Sequence, residues 1–435
     1  MDVGVYQQRR ERLATIMGSG VAILPTAPER TRSRDSHYPY RYDSYFYYLT
    51  GFPEPDAVLV IIAGKKPRSV LFCRERDPER EIWDGFRYGP EAALRTFGVD
   101  EAHPIGELDG LMPDFLADCG VVHAPLSFDP AWDARIAGWM NQVRARARSG
   151  VSAPRELKDV YAAIDEMRLI KGPEEIALMR RAASITAGAH RRAMRATRPG
   201  RIEHEIEAEL LHEFRVHGTQ GPAYPPIVAG GERACILHYV QNNGLLRDRE
   251  LLLIDAGCEL DGYAADLTRT FPVNGKFTAE QREIYQLVLA AQAAAIAAVK
   301  PGNCWDDPHR AAVRVLTQGL IDLGLIKENL EQAAETESYR RFYMHRTGHW
   351  LGLDVHDAGD YKHGGEWRAL VPGMVLTVEP GCYIRPGENV PASFAGIGVR
   401  IEDDVLVTEA GAEVLTRDAP KNIPEIEELV GGANA

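Results

Sequence analysis

The sequence predicts an α/β (α+β) protein of two domains, the first with a mixed-sheet α/β fold and the second with long helices and paired strands. In roughly the first 150 residues, short β-branched runs alternate with helical stretches. Asn141–Glu156 then contains the breakers Gly150 and Pro154, and longer helical periodicity resumes after it. Since 435 residues are enough for two or three domains, we place domains at residues 1–155 and 156–435.

Composition excludes several classes of function. The formal net charge of -13 disfavours a general nucleic-acid binder, which needs a basic surface. The most apolar segments, Ala57–Ala63 and Leu287–Val299, are much shorter than the ~20 residues that span a bilayer. Six scattered cysteines without a C-x-x-C pair indicate reduced thiols. We therefore expect a cytoplasmic protein that binds neither nucleic acid nor membrane.

The elements of the first domain follow from its apolar runs. Each predicted strand is a short run rich in β-branched residues, and the helical stretches lie between them. The predicted strands are Val21–Leu24, Ala57–Ile62, Val70–Cys73 and Val121–His123, and the helices include Glu91–Phe97 and Leu108–Cys119. The tyrosine-rich segment Arg30–Phe52 has two open interpretations: a contact surface within the chain or between subunits, or packing on the domain's own core.

The second domain begins with long helices. Pro173 suits the first turn of a helix that continues to the Pro199-Gly200 stop, with Glu174 and Glu175 at the positive end of its dipole. Apolar residues at helical spacing and terminal breakers predict three further helices. These are Glu203–His217, Ala279–Val299 and Asp307–Leu323.

A histidine cluster is the first sign of a functional site. His345, His349 and His356 lie within twelve residues, and imidazole is both the commonest metal ligand and the usual acid or base near neutral pH. The segment is not an H-E-x-x-H zinc helix, because Arg346 occupies the glutamate position and Gly348 is a poor helix residue. If this is a metal site, further ligands must come from elsewhere in the chain.

Two aspartates flank a predicted hairpin. Leu251–Ile254 and Tyr263–Phe271 are strands around an Asp261-Gly262 turn, so Asp255 and Asp266 can lie side by side across the ladder. Like charges opposite each other are destabilising, and a cation between them would remove that repulsion. The alternative is that backbone N–H groups hold both aspartates without a metal.

Two later strands carry more buried acids. Met374–Tyr383 runs into Glu379, and Gly396–Val407 carries Arg400 and Glu402 on one face. Arg400 is suited to orient a neighbouring carboxylate. One imidazole and four carboxylates suit Mn²⁺, Co²⁺ or Zn²⁺ in a two-ion site, as in aminopeptidases. The predicted ligands are Asp255, Asp266, His349, Glu379 and Glu402.

These motifs resemble the "pita-bread" metallopeptidases, which include aminopeptidase P, prolidase and methionine aminopeptidase. The resemblance covers essentially the whole chain, whereas methionine aminopeptidase is similar only to the second domain. Creatinase-like relatives and metal-free binding modules lack the full ligand set. The motifs are H-R-T-G-H-W-L-G-L-D-V-H-D, I-L-H-Y, L-I-D-A-G-C-E, D-L-T-R-T-F-P-V-N-G-K-F-T, V-E-P-G-C-Y-I and G-V-R-I-E-D-D, with D-S-H-Y-P-Y-R and Y-F-Y-Y-L-T-G-F-P-E-P in the first domain.

The resemblance implies a role for each matched residue. The five ligands would bind a dinuclear centre, usually manganese, with Asp266 and Glu402 bridging and Glu379 also acting as general base. The other matched residues would contact substrate or brace the ligands. His238 and His356 would stabilise the scissile carbonyl and the oxyanion, His345 and Tyr383 would contact substrate, and Arg400 would brace the ligand shell.

The reaction implied by the resemblance is hydrolysis of the bond between an N-terminal residue and a following proline. Two alternatives stay open: a prolidase acting on Xaa-Pro dipeptides, and a non-catalytic peptide-binding relative. The resemblance also implies a homo-oligomer, dimer or tetramer. The sequence departs from the expected pattern at the proline-rich Gln220–Ile227, and Tyr161 and Glu366 stand where arginine is usual.

Overall fold

The structure is a computed structural model that describes residues 1–387 and 389–431. They form two compact units, of which the first ends at Arg168 and the second begins at Leu169. Our division into domains at residues 155 and 156 stays a prediction. Within the described part of the chain, no helix has the length and apolar character needed to cross a lipid bilayer.

The first unit is built on a mixed six-stranded sheet, which confirms the predicted sheet type. Strand β1 (Gly20–Pro25) pairs antiparallel with β4 (Val58–Ala63) on one side and parallel with β7 (Val121–Ala124) on the other. Two further strands, β2 (Thr31–Ser33) and β3 (Ser36–His37), form a separate exposed hairpin. Across the sheet the strands are β6 (Glu101–Pro104), β5 (Arg68–Cys73), β4 (Val58–Ala63), β1 (Gly20–Pro25), β7 (Val121–Ala124) and β8 (Glu156–Asp159).

Seven helices lie in or begin in the described first unit. The first of them was not predicted, because Arg9 and Arg10 interrupt its buried apolar face. Both guanidinium groups bond backbone carbonyls, such as Leu49 O at 2.8 Å from Arg10 Nη1. The helices are α1 (Val3–Met17), α2 (Ser44–Thr50), α3 (Pro78–Asp84), α4 (Gly89–Phe97), α5 (Leu108–Leu116), α6 (Pro130–Ala145) and α7 (Tyr161–Leu169).

The tyrosine-rich segment divides into two parts. The β2–β3 hairpin is exposed, and Tyr38 beside it is 56% exposed. In contrast, Tyr42 and Tyr48 are buried, and the ring of Tyr42 stacks on that of Tyr47 with centroids 3.7 Å apart. The α2 part therefore packs on the core of its own unit, while the hairpin part is free of such packing.

The second unit contains the four predicted long helices, with ends within three residues of the predicted ones. The first begins with Pro173 after Gly172, whose backbone N–H donates to the Glu175 carboxylate at 2.8 Å. The helices are α8 (Pro173–Ala196), α9 (Glu203–Val216), α10 (Ala279–Ala298) and α11 (Asp306–Asp322), followed by the shorter α12 (Leu330–Glu335) and α13 (Ile423–Gly431).

Short sheets pack against these helices around one large apolar core. Each sheet has two or three strands, and the antiparallel pairs within them carry the candidate site. The strands are β9 (Gly221–Pro222), β10 (Ile227–Gly230), β11 (Leu251–Asp255), β12 (Cys258–Leu260), β13 (Tyr263–Ala264), β14 (Thr268–Pro272), β15 (Lys362–His363), β16 (Glu366–Trp367), β17 (Val375–Val378), β18 (Gly381–Ile384), β19 (Ile397–Arg400), β20 (Asp403–Thr408) and β21 (Gly411–Val414).

Candidate active site

A cavity of about 490 Å³ in the second unit brings the predicted site residues together. One wall is polar, and the other is formed by apolar side chains of Pro225, Ile227, Leu237, Val240 and Val355. Nine of the ten predicted residues line it: His238, Asp255, Asp266, His345, His349, His356, Glu379, Arg400 and Glu402. The tenth, Tyr383, is fully buried and bonds two of the nine.

The two aspartates are close together but are not opposite each other, which corrects the predicted hairpin register. Asp255 pairs with Thr268, and Asp266 lies in the break between β13 and β14. The chain passes between two sheets here. Gly257 lies so close to Ala265 that a Cβ on residue 257 would be 1.7 Å from the carbonyl oxygen of Ala265. The phenolic oxygen of Tyr224 lies 2.6 Å from Asp255 Oδ1 and 2.5 Å from Asp266 Oδ1.

Two glutamates lie where the chain changes sheets. The predicted single strand Gly396–Val407 is wrong, because β19 pairs with β18 and β20 pairs with β17, which leaves Glu402 in the gap. Val378 pairs with Asp403 and Gly381 with Arg400, so the same register continues across the break and places Glu379 opposite Glu402. Like charges in opposed positions are destabilising without a cation.

A chain of hydrogen bonds connects the ligand strands to the histidine segment. Arg400 donates from Nη2 to Asp255 Oδ2 at 2.6 Å and from Nη1 to Tyr383 Oη at 3.1 Å. The Tyr383 hydroxyl lies 2.9 Å from His345 Nε2, and the Thr268 hydroxyl donates to Glu402 Oε2 at 2.6 Å. The predicted bracing by Arg400 thus has a direct geometric basis.

His349 presents one ring nitrogen to the acids. Its Nδ1 lies 3.0 Å from the Trp350 carbonyl oxygen, which accepts only if Nδ1 carries the proton. Nε2 then faces Asp266 Oδ2 at 3.4 Å and Glu379 Oε1 at 3.7 Å. Such a backbone bond fixes the tautomer and orientation of a metal-binding imidazole.

The electrostatics reflect an excess of buried negative charge. Burial raises the pKa of Glu379 to about 7, and burial with the charge of Asp266 raises the pKa of Glu402 well above its usual value. Burial would also raise the pKa of Asp266, but the hydrogen bond and charge of His349 outweigh it and lower that pKa. Four carboxylates face one guanidinium and the imidazolium of His349, whose pKa, against the effect of burial, is raised to about 9 by Asp266 and Glu379, so divalent cations fit the remaining negative charge.

The donor set itself fits a divalent metal ion. Ligand atoms of Asp266, His349 and Glu402 all lie within 4.8 Å of one another. Carboxylate oxygen and imidazole nitrogen are ligands that Mn²⁺, Co²⁺ and Zn²⁺ accept. The residues present can therefore hold a metal, and the number and identity of the ions are treated below as proposals.

His356 lies on a loop that a buried ion pair anchors. Its ring meets that of His349 edge-on, with centroids 4.3 Å apart. The next residue, Asp357, pairs with Lys171 at 2.8 Å, and both side chains are 1% exposed. Asp357 also accepts the backbone N–H of Asp354 at 3.3 Å. The ion pair at Asp357 and the hydrogen bond from Asp354 therefore hold the loop on both sides of His356.

Replacing Lys171 by Met is expected to lower the free energy of unfolding by about 3–5 kcal/mol, because it leaves a buried carboxylate without its cation. Arg180 and Glu413 form a matched control, an exposed pair with the same 2.8 Å distance and side chains 49% and 34% exposed. Arg180→Met should cost less than about 1 kcal/mol. Urea denaturation measures both, and equal effects would contradict the assignment of the anchor.

Three polar residues of the site were missed from sequence. No role was predicted for Tyr224, which lies in the proline-rich segment Gln220–Ile227, or for Thr268, which lies in one of the motifs that carry the resemblance. Asp404 accepts the backbone N–H of Asp266 with both oxygens at 3.2 Å, and burial raises its pKa well above the usual value. A run of two aspartates after Glu402 was the available signal for Asp404, whereas Tyr224 had none.

The sequence of this chain matches two models of known protein families. A sequence model described as metallopeptidase family M24 matches residues 177–409, and one described as aminopeptidase P, N-terminal domain, matches residues 6–123. The chain is 46% identical to a Xaa-Pro aminopeptidase of Haemophilus influenzae over 428 residues, 98% of this chain and 96% of the relative.

Solved structures are similar over the whole chain. The structure of Pseudomonas aeruginosa aminopeptidase PepP is 49% identical, with a TM-score of 0.98 over 100% of this chain and 99% of the other. A zinc-substituted Escherichia coli aminopeptidase P in complex with product is 45% identical, with a TM-score of 0.97 over 100% and 99% of the two chains.

Proposed function

This chain belongs to metallopeptidase family M24 and carries the aminopeptidase P N-terminal domain, and from that premise we propose that it is a Xaa-Pro aminopeptidase. It hydrolyses the bond between an N-terminal residue and a penultimate proline. The observation that carries the proposal is the cavity that gathers four carboxylates and His349 beside an apolar wall.

The substrate chemistry matches this cavity. A proline nitrogen in a peptide bond has no N–H and a restricted geometry, so recognition depends on shape and apolar contact more than on a hydrogen bond to that nitrogen. The apolar wall of Pro225, Ile227, Leu237, Val240 and Val355 offers such contact. The volume is within the usual range of ligand cavities, ~300–1,000 Å³.

We propose two divalent ions per chain, Mn²⁺ with Zn²⁺ or Co²⁺ as alternatives. When bound, the ions supply Lewis acidity that activates a water molecule and stabilises charge on the substrate carbonyl. The opposition of Glu379 and Glu402, and the proximity of Asp255 to Asp266, support a set that holds more than one ion. Asp266 and Glu402 would bridge, and His349 would bind through Nε2.

The remaining roles belong to side chains around the cavity. Glu379 accepts a proton from the attacking water, and the N–H groups of His238 and His356 are directed to the oxyanion that develops on the carbonyl. His345 contacts the substrate, the Tyr383 hydroxyl holds His345 and Arg400 from outside the cavity lining, and Arg400 holds Asp255 in place. A cytoplasmic location and an assembly of two or four chains are part of the same proposal; sedimentation tests the assembly.

Removal of metal should abolish the activity, because the four carboxylates then repel each other and no Lewis acid is present. We expect chelator-treated protein to release no N-terminal residue from an X-Pro-Y tripeptide, and we expect Mn²⁺ to restore turnover. An X-Ala-Y tripeptide is the control substrate. Cleavage of X-Ala-Y with X-Pro-Y left intact would contradict the proposal.

The two alternatives give different results in the same assay. A prolidase would turn over the X-Pro dipeptide faster than the X-Pro-Y tripeptide. A non-catalytic peptide-binding protein would hold fewer than about two ions per chain by metal analysis and would cleave neither peptide. The complete ligand set in the cavity favours catalysis over the second alternative.

A further inference from the structure

A buried polar cluster lies behind the two glutamates, outside the cavity lining. Its centre is Gln292 on α10, which is 0% exposed and lies on a buried helix face whose other residues are apolar except for Gln281 in the first turn and the Tyr285 hydroxyl. A buried amide costs free energy unless its hydrogen bonds are satisfied, so its partners indicate what it does.

The partners of Gln292 are the backbone groups next to the glutamates. Its Nε2 lies 3.3 Å from the carbonyl oxygen of Val378 and 3.2 Å from that of Ile401. Val378 directly precedes Glu379, and Ile401 directly precedes Glu402. One amide group therefore joins the two strands at the point where each leaves its sheet.

Other members of the cluster hold Gln292 in one orientation. Lys421 Nζ, which can only donate, lies 3.0 Å from Gln292 Oε1, so Nε2 must face the carbonyls. Nε2 also lies 3.0 Å from Asp403 Oδ2. Asp403 pairs with Arg269 at 2.7 Å, both side chains 0% exposed, and Arg269 Nη1 donates to the Glu402 carbonyl oxygen at 2.6 Å.

We propose that Gln292 is a positioning residue for the metal centre, which sets the separation of Glu379 and Glu402 through the carbonyls of Val378 and Ile401. The inference rests on the proposed function, because it assigns both glutamates to the metal. It predicts that loss of the amide weakens metal binding without changing the cavity wall, since Gln292 does not line the cavity.

The test compares two glutamines of the same helix. Gln292→Met keeps the length of the side chain but cannot donate, and Gln286→Met changes an exposed glutamine of α10 as the control. Titration calorimetry of metal-free protein with Mn²⁺ should show about 10- to 100-fold weaker binding for Gln292→Met and no change for Gln286→Met. At saturating Mn²⁺, kcat should fall while KM for the peptide stays unchanged.

Further measurements separate positioning from a role in stability alone. If Gln292→Met lowers the melting temperature of metal-free protein but keeps the Mn²⁺ affinity and kcat, the inference is overturned. If Gln292→Met does not fold, Gln292→Asn decides in the same titration, because its shorter amide cannot reach both carbonyls; an unchanged affinity overturns the inference. Failure of the wild-type protein to cleave X-Pro-Y would refute the proposed function, while the affinity comparison still tests Gln292.

Discussion

Replacement of Asp266 by Asn is expected to remove most of the metal and nearly all of the activity. Asp266 is the carboxylate that faces His349 Nε2 at 3.4 Å and shares the Tyr224 hydroxyl with Asp255. An asparagine offers one neutral oxygen and one N–H group, so it cannot serve two ions as a bridging carboxylate does. If the transition state loses several kcal/mol of the stabilisation that the metal provides, kcat/KM falls by on the order of 10³-fold.

The measurement combines metal analysis with turnover of an X-Pro-Y tripeptide. Asp261→Asn is the matched control, because Asp261 is exposed in the turn between β12 and β13 and its φ of 49° is tolerated by asparagine. The increase in melting temperature on adding Mn²⁺ should shrink in Asp266→Asn and persist in Asp261→Asn. Full activity with full metal content in Asp266→Asn would remove Asp266 from the ligand set.

Local periodicity was sufficient to predict the long helices. The apolar spacing and the proline and glycine breakers of α8 to α11 are properties of a few adjacent turns, and the structure ends these helices within three residues of the prediction. Helix α1 was not predictable in the same way, because Arg9 and Arg10 lie on its buried face, where both guanidinium groups bond distant backbone carbonyls and that of Arg9 also lies over the Tyr48 ring. A guanidinium with tertiary partners has the same sequence pattern as an exposed one.

The residues that gather in the cavity were predictable, but the opposition of Glu379 and Glu402 was not. A break in a strand depends on which partner strand each half finds, and this is a tertiary property that a run such as Gly396–Val407 does not encode locally. Repulsion between like charges is therefore more direct for Glu379 and Glu402, which lie opposite each other in one register, than for Asp255 and Asp266. Gln292 was not identifiable at all, because 87 residues separate it from Glu379 and its significance lies in two backbone carbonyls.

Replacement of His356 by Ala should separate the two effects that Asp266→Asn combines: metal is retained and turnover is lost. His356 lines the cavity and its ring meets that of His349 edge-on, without a hydrogen bond to a carboxylate oxygen among the described residues. A donor aimed at a developing oxyanion is worth about 10²–10³-fold in kcat. Because no hydrogen bond or ion pair joins His356 to the four carboxylates in the described part of the chain, two ions per chain should remain.

His217→Ala and His356→Gln complete the His356 experiment. His217 is an exposed histidine at the end of α9 whose Nδ1 lies 2.9 Å from the Glu213 carbonyl oxygen, so its removal should leave kcat unchanged. Gln can still donate an N–H, so His356→Gln should recover part of the kcat that His356→Ala loses. Loss of metal from His356→Ala would make His356 a ligand, and unchanged kcat would place it outside the reaction. A loss confined to kcat, with Lys171 and Asp357 intact, is the result that the anchored loop predicts, because the ion pair holds the donor in place before substrate arrives.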